Sequence, residues 1–228
     1  MPGGHEASCW FDEGHGDISF TEGLAHSCNS VFIENGLKLG GALIQEYANQ
    51  LGLLENRIIG ISVPQVNRLS FNSAIPGDIA NISMGENGIR LSPVTVAKLV
   101  SEVANGGLAV VPRVVMGIRD EQGQIIKKFA PDTQTRVISS ATAEELKKML
   151  KDAVRDGTGK TAQVLGISTA GKTGSSETEG AWFAGFAPFD QPRWAVVVFI
   201  HKGNSGAGDA APVFQKIVSR LVNLEELK

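Results

Sequence analysis

From Ser168 to His201 three runs rich in β-branched, aromatic and small apolar residues follow one another: Ser168 to Ser175, Ala181 to Ala187 and Arg193 to His201. The spacers are short, the second being Pro188-Phe-Asp-Gln-Pro192. Parallel neighbours need a crossover of a dozen residues or more, so this stretch predicts a small antiparallel meander. After it, Asp209 to about Leu224 sets Val213, Phe214, Ile217, Val218, Leu221 and Val222 on one side, which predicts a closing helix over the sheet.

Upstream the pattern is helical. Residues 1–20 are polar and Gly-rich and read as a loop anchored by Trp10, Phe11 and Phe20. From Thr21 to Asn49, Leu24, Val31, Phe32, Leu39, Leu43, Ile44 and Tyr47 recur at helical spacing, with a break expected near Gly36 and a stop at Gly52. Residues 56–90 have no strong period; Pro64, Pro76, Gly77, Asn81, Gly85 and Gly88 predict a long loop with short turns. Ser92-Pro93 opens a helix with Val96, Leu99, Val100 and Val103 inward, ended by Asn105-Gly106-Gly107. Val110 to Ile118 and Gln124 to Phe129 suit a hairpin around Asp120-Glu121-Gln122-Gly123. Thr142-Ala-Glu-Glu145 reads as a capping box starting a helix to about Arg155, stopped by Gly157-Thr158-Gly159. The expectation is one partial α/β (α+β) domain over 1–228, mostly helical over 1–156, with strands and closing helix over 157–228.

Charge and composition remove several function classes. The 228 residues carry a net charge of -3 with scattered cations, so no nucleic-acid partner is expected. Lys147, Lys148 and Lys151 read as a solvated helix face. The longest apolar runs, such as Trp194 to Ile200, are far too short to span a bilayer, and Met1 to Glu6 has neither the basic region nor the apolar core of a signal peptide. The chain as written reads as soluble. Cys9 and Cys28 read as free thiols, with a disulfide left open. Cys9, His5 and His15 fit no standard metal spacing, and His15 between two glycines reads as a turn residue, so no metal is expected.

Three motifs bear on chemistry. Gly166-Ile-Ser-Thr-Ala-Gly171-Lys172-Thr173 fits the phosphate-loop pattern, but that motif needs a helix starting at its lysine, and Gly174-Ser175-Ser176 favours strand or turn. Lys172-Thr173-Gly174-Ser175 on a strand sets Thr173 and Ser175 on one side and Lys172 on the other. Two hydroxyls with an ammonium nearby suit a carboxylate, Gly174 leaves room for a ligand backbone, and the Ser175 N–H could serve an oxyanion. Ser27-Cys28-Asn29 interrupts the first helical stretch; its hydroxyl and amide, two apart, can face one cleft on a helix-to-helix corner. Taken singly, each motif also reads as ordinary structure: a Gly-bearing strand, a capped turn.

Taken in order they resemble the transpeptidase domain of class B penicillin-binding proteins. The resemblance runs through Cys9-Trp10, Gly14-His15-Gly16, Leu24 to Phe32, Ser83-Met-Gly-Glu-Asn-Gly-Ile-Arg-Leu-Ser-Pro93, Ala104-Asn-Gly-Gly107, Pro112, Gly157-Thr-Gly159, Ala170-Gly-Lys-Thr-Gly174 and Ala181-Trp-Phe-Ala-Gly-Phe-Ala-Pro188. It implies a β-lactamase/transpeptidase-like fold: an antiparallel sheet flanked by helices, with a helical subdomain. It implies that Ser27 relays a proton, Asn29 binds the acyl-donor backbone, Lys172 sets the potential near Ser27, and Thr173, Gly174 and Ser175 hold the terminal carboxylate of a peptidoglycan stem peptide or a β-lactam. The implied reaction is serine acyl transfer on D-Ala-D-Ala. No cofactor is implied, and the implied location is the outer side of the cytoplasmic membrane through an anchor.

One departure matters. The family's nucleophile is a Ser-x-x-Lys motif upstream of Ser-x-Asn, and no serine among these 228 residues has a lysine three positions on. The chain therefore reads as a piece lacking the nucleophile and N-terminal strands, inactive alone, with an open edge at residues 193–201 inviting self-association. The rivals are a catalytically dead scaffold of the same family and a phosphate-loop NTPase using Gly166 to Thr173.

Overall fold

The computed structural model describes residues 9–129, 135–176 and 180–226. Seven α-helices occur among them: α1 Phe20–Ala25, α2 Asn29–Leu39, α3 Gly41–Gln50, α4 Pro76–Met84, α5 Pro93–Ala104, α6 Ser140–Arg155 and α7 Ala211–Glu226. The strands are β1 Arg68–Leu69, β2 Ile89–Arg90, β3 Gly117–Arg119, β4 Ile125–Lys128, β5 Ala170–Ser176, β6 Gly180–Ala187 and β7 Trp194–His201.

The expected meander is present: β5, β6 and β7 form an antiparallel sheet in that order. Period-two alternation decides what each face packs against. Ala181, Phe183 and Val198 face α7, where the Phe183 and Phe214 rings meet at 4.6 Å and neither side chain is exposed. Ala170, Ala184, Phe186 and Ala195 face the opposite way, onto Val100 and Ala104 of α5 and Leu150 of α6. The sheet thus lies between helices, and β7 has no second strand neighbour among the described residues.

Several local expectations shift. The stretch 21–49 breaks at two places, neither of them Gly36. One is the corner at Ser27-Cys28, the other Gly40, whose φ of 82° is a left-handed value that glycine tolerates. Gly36 instead lies buried inside α2, where a Cβ would stand 1.8 Å from Ser83 Oγ of α4; its role is close helix packing. The region 56–90 is not all loop. Pro76 at the first helical turn and Ile79, Ala80 and Ile82 bury one face of α4, and β1 pairs with β2. The cap of α6 is Ser139, which accepts from Thr142 N at 3.0 Å, three residues earlier than the predicted box. The reciprocal capping box occurs at Ser19 and Glu22 instead.

Lys147 and Lys151 do not form a solvated face. Lys147 is buried, pairs with Glu144 at 2.8 Å, and lies with Lys151 over the Phe189 ring at 5.4 and 4.3 Å. A second buried charge went unread: Glu102 of α5, with no exposed surface, bonds Val110 N at 3.1 Å and faces Lys98 at 3.3 Å, while burial raises its pKa. The helix placement at Ser92, which accepts from Thr95 N at 3.2 Å, agrees with expectation.

Candidate active site

The short helix α1 ends in a hydrogen-bonded reversal. Cys28 N donates to Gly23 O at 2.8 Å and Ser27 N to Leu24 O at 3.2 Å, the pattern of a Schellman motif. The residue at the left-handed position of that motif is usually glycine; here it is Ser27, with φ of 56°. A non-glycine there costs about 1 kcal/mol or more, and the corner turns the Ser27 side chain into the groove while Asn29 opens α2.

Strand β5 supplies the other wall. Register pairs Lys172 with Ala184 and Thr173 with Phe183, so Lys172 points to the α5 side of the sheet and Thr173 and Ser175 to the α7 side, as alternation requires. Ser27, Asn29, Lys172, Thr173, Gly174 and Ser175 all line one groove of about 1540 Å³. Two distant stretches are held together there by Gly157. A Cβ at that position would stand 2.1 Å from Ala25 O, and Thr158 N donates to the same oxygen at 3.0 Å. The link continues through the Thr158 and Thr173 hydroxyls, 2.6 Å apart.

The polar atoms are partly committed. Lys172 Nζ donates to Thr173 O at 3.0 Å and Thr173 Oγ1 at 3.3 Å. Burial pushes its pKa from the ordinary 10.5 to about 8. Ser175 Oγ accepts from Gly206 N at 2.9 Å, which fixes the turn before α7 behind the strand. Trp182 and Phe199, paired across β6 and β7 with centroids 4.4 Å apart, form an aromatic wall. Phe183, by contrast, is core. Chemically, the groove offers a hydroxyl, an ammonium able to give and take a proton near neutral pH, and further hydroxyls for an anion.

Thr158, Gly206 and Phe199 were not predicted as site members. The Gly157-Thr-Gly159 string was legible, but its partner on β5 is a product of the fold. Lys172 sits mid-strand, not at a helix N-terminus, so the phosphate-loop reading of Gly166 to Thr173 falls.

The fold also gathers thiols and an imidazole that spacing did not connect. Cys9 Sγ lies 3.3 Å from His15 Nδ1 and 3.8 Å from Cys28 Sγ, and the three ligand atoms fall within 4.8 Å of one another. The expectation of no metal-type cluster missed Cys28; His5 lies outside the described residues. Both thiols are unbridged. Burial raises the Cys9 thiol pKa, but hydrogen bonds from the Phe11 and Asn29 backbone, the Cys28 thiol and the Trp10 backbone outweigh it and bring it below the ordinary value. Such a set suits a zinc-type ion with one open position, or closes to a disulfide when an oxidant removes two electrons. His15 stacks on His26 at 5.7 Å, and Trp10 Nε1 donates to His26 O at 3.0 Å, which ties this cluster to the Ser27 corner.

An antiparallel sheet between helices, with a cleft where a strand edge faces a helix corner, is an architecture shared with known proteins. Residues 3–219 match the penicillin binding protein transpeptidase domain, and the chain belongs to that family. Stage V sporulation protein D of Bacillus subtilis is 30% identical over 94% of this chain, which spans 36% of that protein. The peptidoglycan D,D-transpeptidase PbpA of Mycolicibacterium smegmatis is 26% identical over 86% of this chain and 42% of that protein. The chain thus spans about two fifths of these relatives. Among solved structures, the D,D-transpeptidase domain of a peptidoglycan glycosyltransferase from Eggerthella lenta superposes with a TM-score of 0.84 at 24% identity, over 94% of this chain and 55% of that one. Penicillin-binding protein A of M. tuberculosis, solved as an imipenem acyl-enzyme, gives 0.79 over 90% and 49% at 24% identity. Among the described residues no helix is long and apolar enough to cross a membrane.

Proposed function

We propose that this chain carries the substrate-binding and proton-relay part of a serine-type D,D-transpeptidase that cross-links peptidoglycan and binds β-lactams at the outer face of the cytoplasmic membrane. The observation that carries this reading is the meeting of Ser27, Asn29, Lys172, Thr173 and Ser175 on one groove.

In this reading Thr173 and Ser175 hold the terminal carboxylate of a D-Ala-D-Ala peptide, and Asn29 holds its backbone. A serine hydroxyl from a Ser-x-x-Lys segment, absent from these 228 residues, attacks the penultimate carbonyl carbon. Its proton passes by way of Ser27 to the leaving D-alanine nitrogen as the C–N bond breaks and an ester forms. The Ser175 N–H steadies the oxyanion. An acceptor amine then attacks the ester, forms the cross-link and returns the proton to the serine. Lys172 holds positive charge in the groove below pH 8 and loses it above.

Tryptophan fluorescence, with Trp182 in the groove wall, tests the reading. A D-Ala-D-Ala peptide is expected to shift it at pH 7 and to bind several-fold more weakly at pH 9.5, where Lys172 is neutral. An affinity equal to that of an L-Ala-L-Ala peptide at both pH values overturns the assignment.

The exposed edge of β7 carries a second expectation: association of two chains through Trp194–His201. Sedimentation should reveal a concentration-dependent dimer, and a Val197→Pro change, which removes a ladder donor, should weaken it. A monomer at every concentration rejects the idea.

A further inference from the structure

The start of α5 separates the groove from a second hollow. Pro93 lines the groove, whereas its neighbours Ser92 and Val94 line a recess of about 210 Å³, and among the described residues the two share no lining residue. Ile58, Val63, Val66, Val94, Val111 and Pro112 make the recess largely aliphatic. An apolar cavity of about 150 Å³ holds a benzene molecule, so this one has room for a single Leu or Phe side chain. A buried residue holds it in shape. The amide nitrogen of Asn67 lies within hydrogen-bond distance of Glu55 O (3.0 Å), Asn56 Oδ1 (2.6 Å) and Thr95 Oγ1 (2.8 Å), and its amide oxygen accepts from Ser92 N at 2.8 Å. All four of these partners line the recess. Lys98, also in the lining, donates to Leu51 O at 2.6 Å and faces Glu102 at 3.3 Å, so its ammonium is already committed.

From the recess the chain runs straight into an exposed hairpin. Ile59 N donates to Pro112 O at 2.8 Å and Val114 N to Ile59 O at 2.9 Å, which fixes the exit. β3 starts five positions after Pro112, at most about 17 Å of extended chain. Every residue of β3 and β4 is exposed. Each strand pairs only with the other, so among the described residues both outer edges are open. A lone two-stranded ladder is marginal in water, yet this one and the residue leading into it carry Met116, Ile118, Ile125 and Ile126, between 46 and 74% exposed. Clustered exposed apolar residues mark interaction sites. Charge says of what kind. Residues 113–128 hold Arg113, Arg119, Lys127 and Lys128 against Asp120 and Glu121. The Asp120 carboxylate is turned onto the Gln122 and Gln124 N–H groups, at 3.1 and 2.7 Å. The hairpin is thus cationic on a chain of net charge -3.

We propose that recess and hairpin together dock an extended, acidic segment of a partner protein. One bulky apolar side chain of that segment fills the recess, and Asp or Glu residues about five positions along it meet Arg119, Lys127 and Lys128. An extended segment also lends its main-chain groups to an open strand edge, the mode in which backbone hydrogen bonds give affinity and a side-chain pocket gives specificity. The cations speed encounter and set register, while the desolvated anchor supplies most of the binding strength. This docking surface stands whether or not the groove takes a D-Ala-D-Ala peptide.

Panning a displayed library of random dodecapeptides on the full chain tests this. Selected peptides should carry a Leu, Phe or Trp with Asp or Glu within about five residues of it. By fluorescence polarisation, a labelled synthetic copy of one should bind about tenfold more weakly to V94E and to K127E/K128E than to the unaltered chain. Its binding should also weaken as salt rises toward 0.5 M. Val94 is 41% exposed in the first turn of α5, where a carboxylate meets the helix dipole favourably, and the two lysines are exposed, so melting curves should show both variants folded. Val66→Glu, 43% exposed in the same lining, is a second recess variant with the same expected loss. A selection without that consensus, or a labelled peptide that keeps full affinity for the recess variants or for K127E/K128E, overturns the docking surface. Binding to phosphatidylglycerol vesicles that is lost in K127E/K128E, with no peptide selected, assigns the hairpin to a lipid surface and overturns it as well.

Discussion

Replacing Lys172 by Met is expected to raise the melting temperature at pH 7 by roughly 5–10 °C while abolishing anion capture by the groove. The cause is burial. In the folded chain the ammonium loses its proton near pH 8, against an ordinary 10.5. Between these values the unfolded chain binds a proton that the folded chain does not, so stability rises with pH across that window. Below pH 8 both states are protonated and the folded state bears the full desolvation cost, about 3 kcal/mol for a shift of this size. Lys172→Met removes that cost, so its stability should be flat from pH 7 to 10.5 where that of the unaltered protein climbs. Thermal melts at four pH values suffice. Parallel curves for the two proteins would show that the lysine is solvated in the groove and carries no strain.

Labelled penicillin, incubated with this chain, is expected to leave no covalent band on a denaturing gel. The groove holds hydroxyls, but none belongs to a serine followed three residues on by lysine, and Ser27 sits on a corner whose role in the proposed reaction is proton transfer. Supplying in trans the upstream part of a family member that bears the motif should restore labelling, and Ser27→Ala should then reduce its rate on the order of a hundredfold, the usual scale for losing a positioned proton relay. A band from the chain alone would reassign the nucleophile to a residue within it.

What the sequence disclosed depended on how local the cause was. The three strands and α7 were legible because their alternation and short spacers admit few arrangements, and Ser92-Pro93 fixed the start of α5 within a residue. The opposite faces of Lys172 and Thr173 followed from period two alone. Helix α4 was missed because its apolar face is three residues wide and hidden among turn-forming residues. Gly36 was mistaken for a breaker because its reason, Ser83, lies 47 positions on. The same remoteness hid Thr158 against Thr173, Gly206 against Ser175, and Cys28 against Cys9: these contacts exist only once the sheet and the helices have closed on one another. Family resemblance implied that Ser27 and Lys172 serve one groove, which spacing could not, and both residues line the same groove.

The left-handed serine at position 27 makes the chain a gauge of what it is selected for. A library randomised at that codon and sorted on heat resistance alone should drift toward glycine, which adopts the Schellman corner without penalty. Sorted on peptide capture, the same library should keep serine against that drift, and the gap between the two outcomes would measure how much sturdiness the corner yields to keep a hydroxyl in the groove.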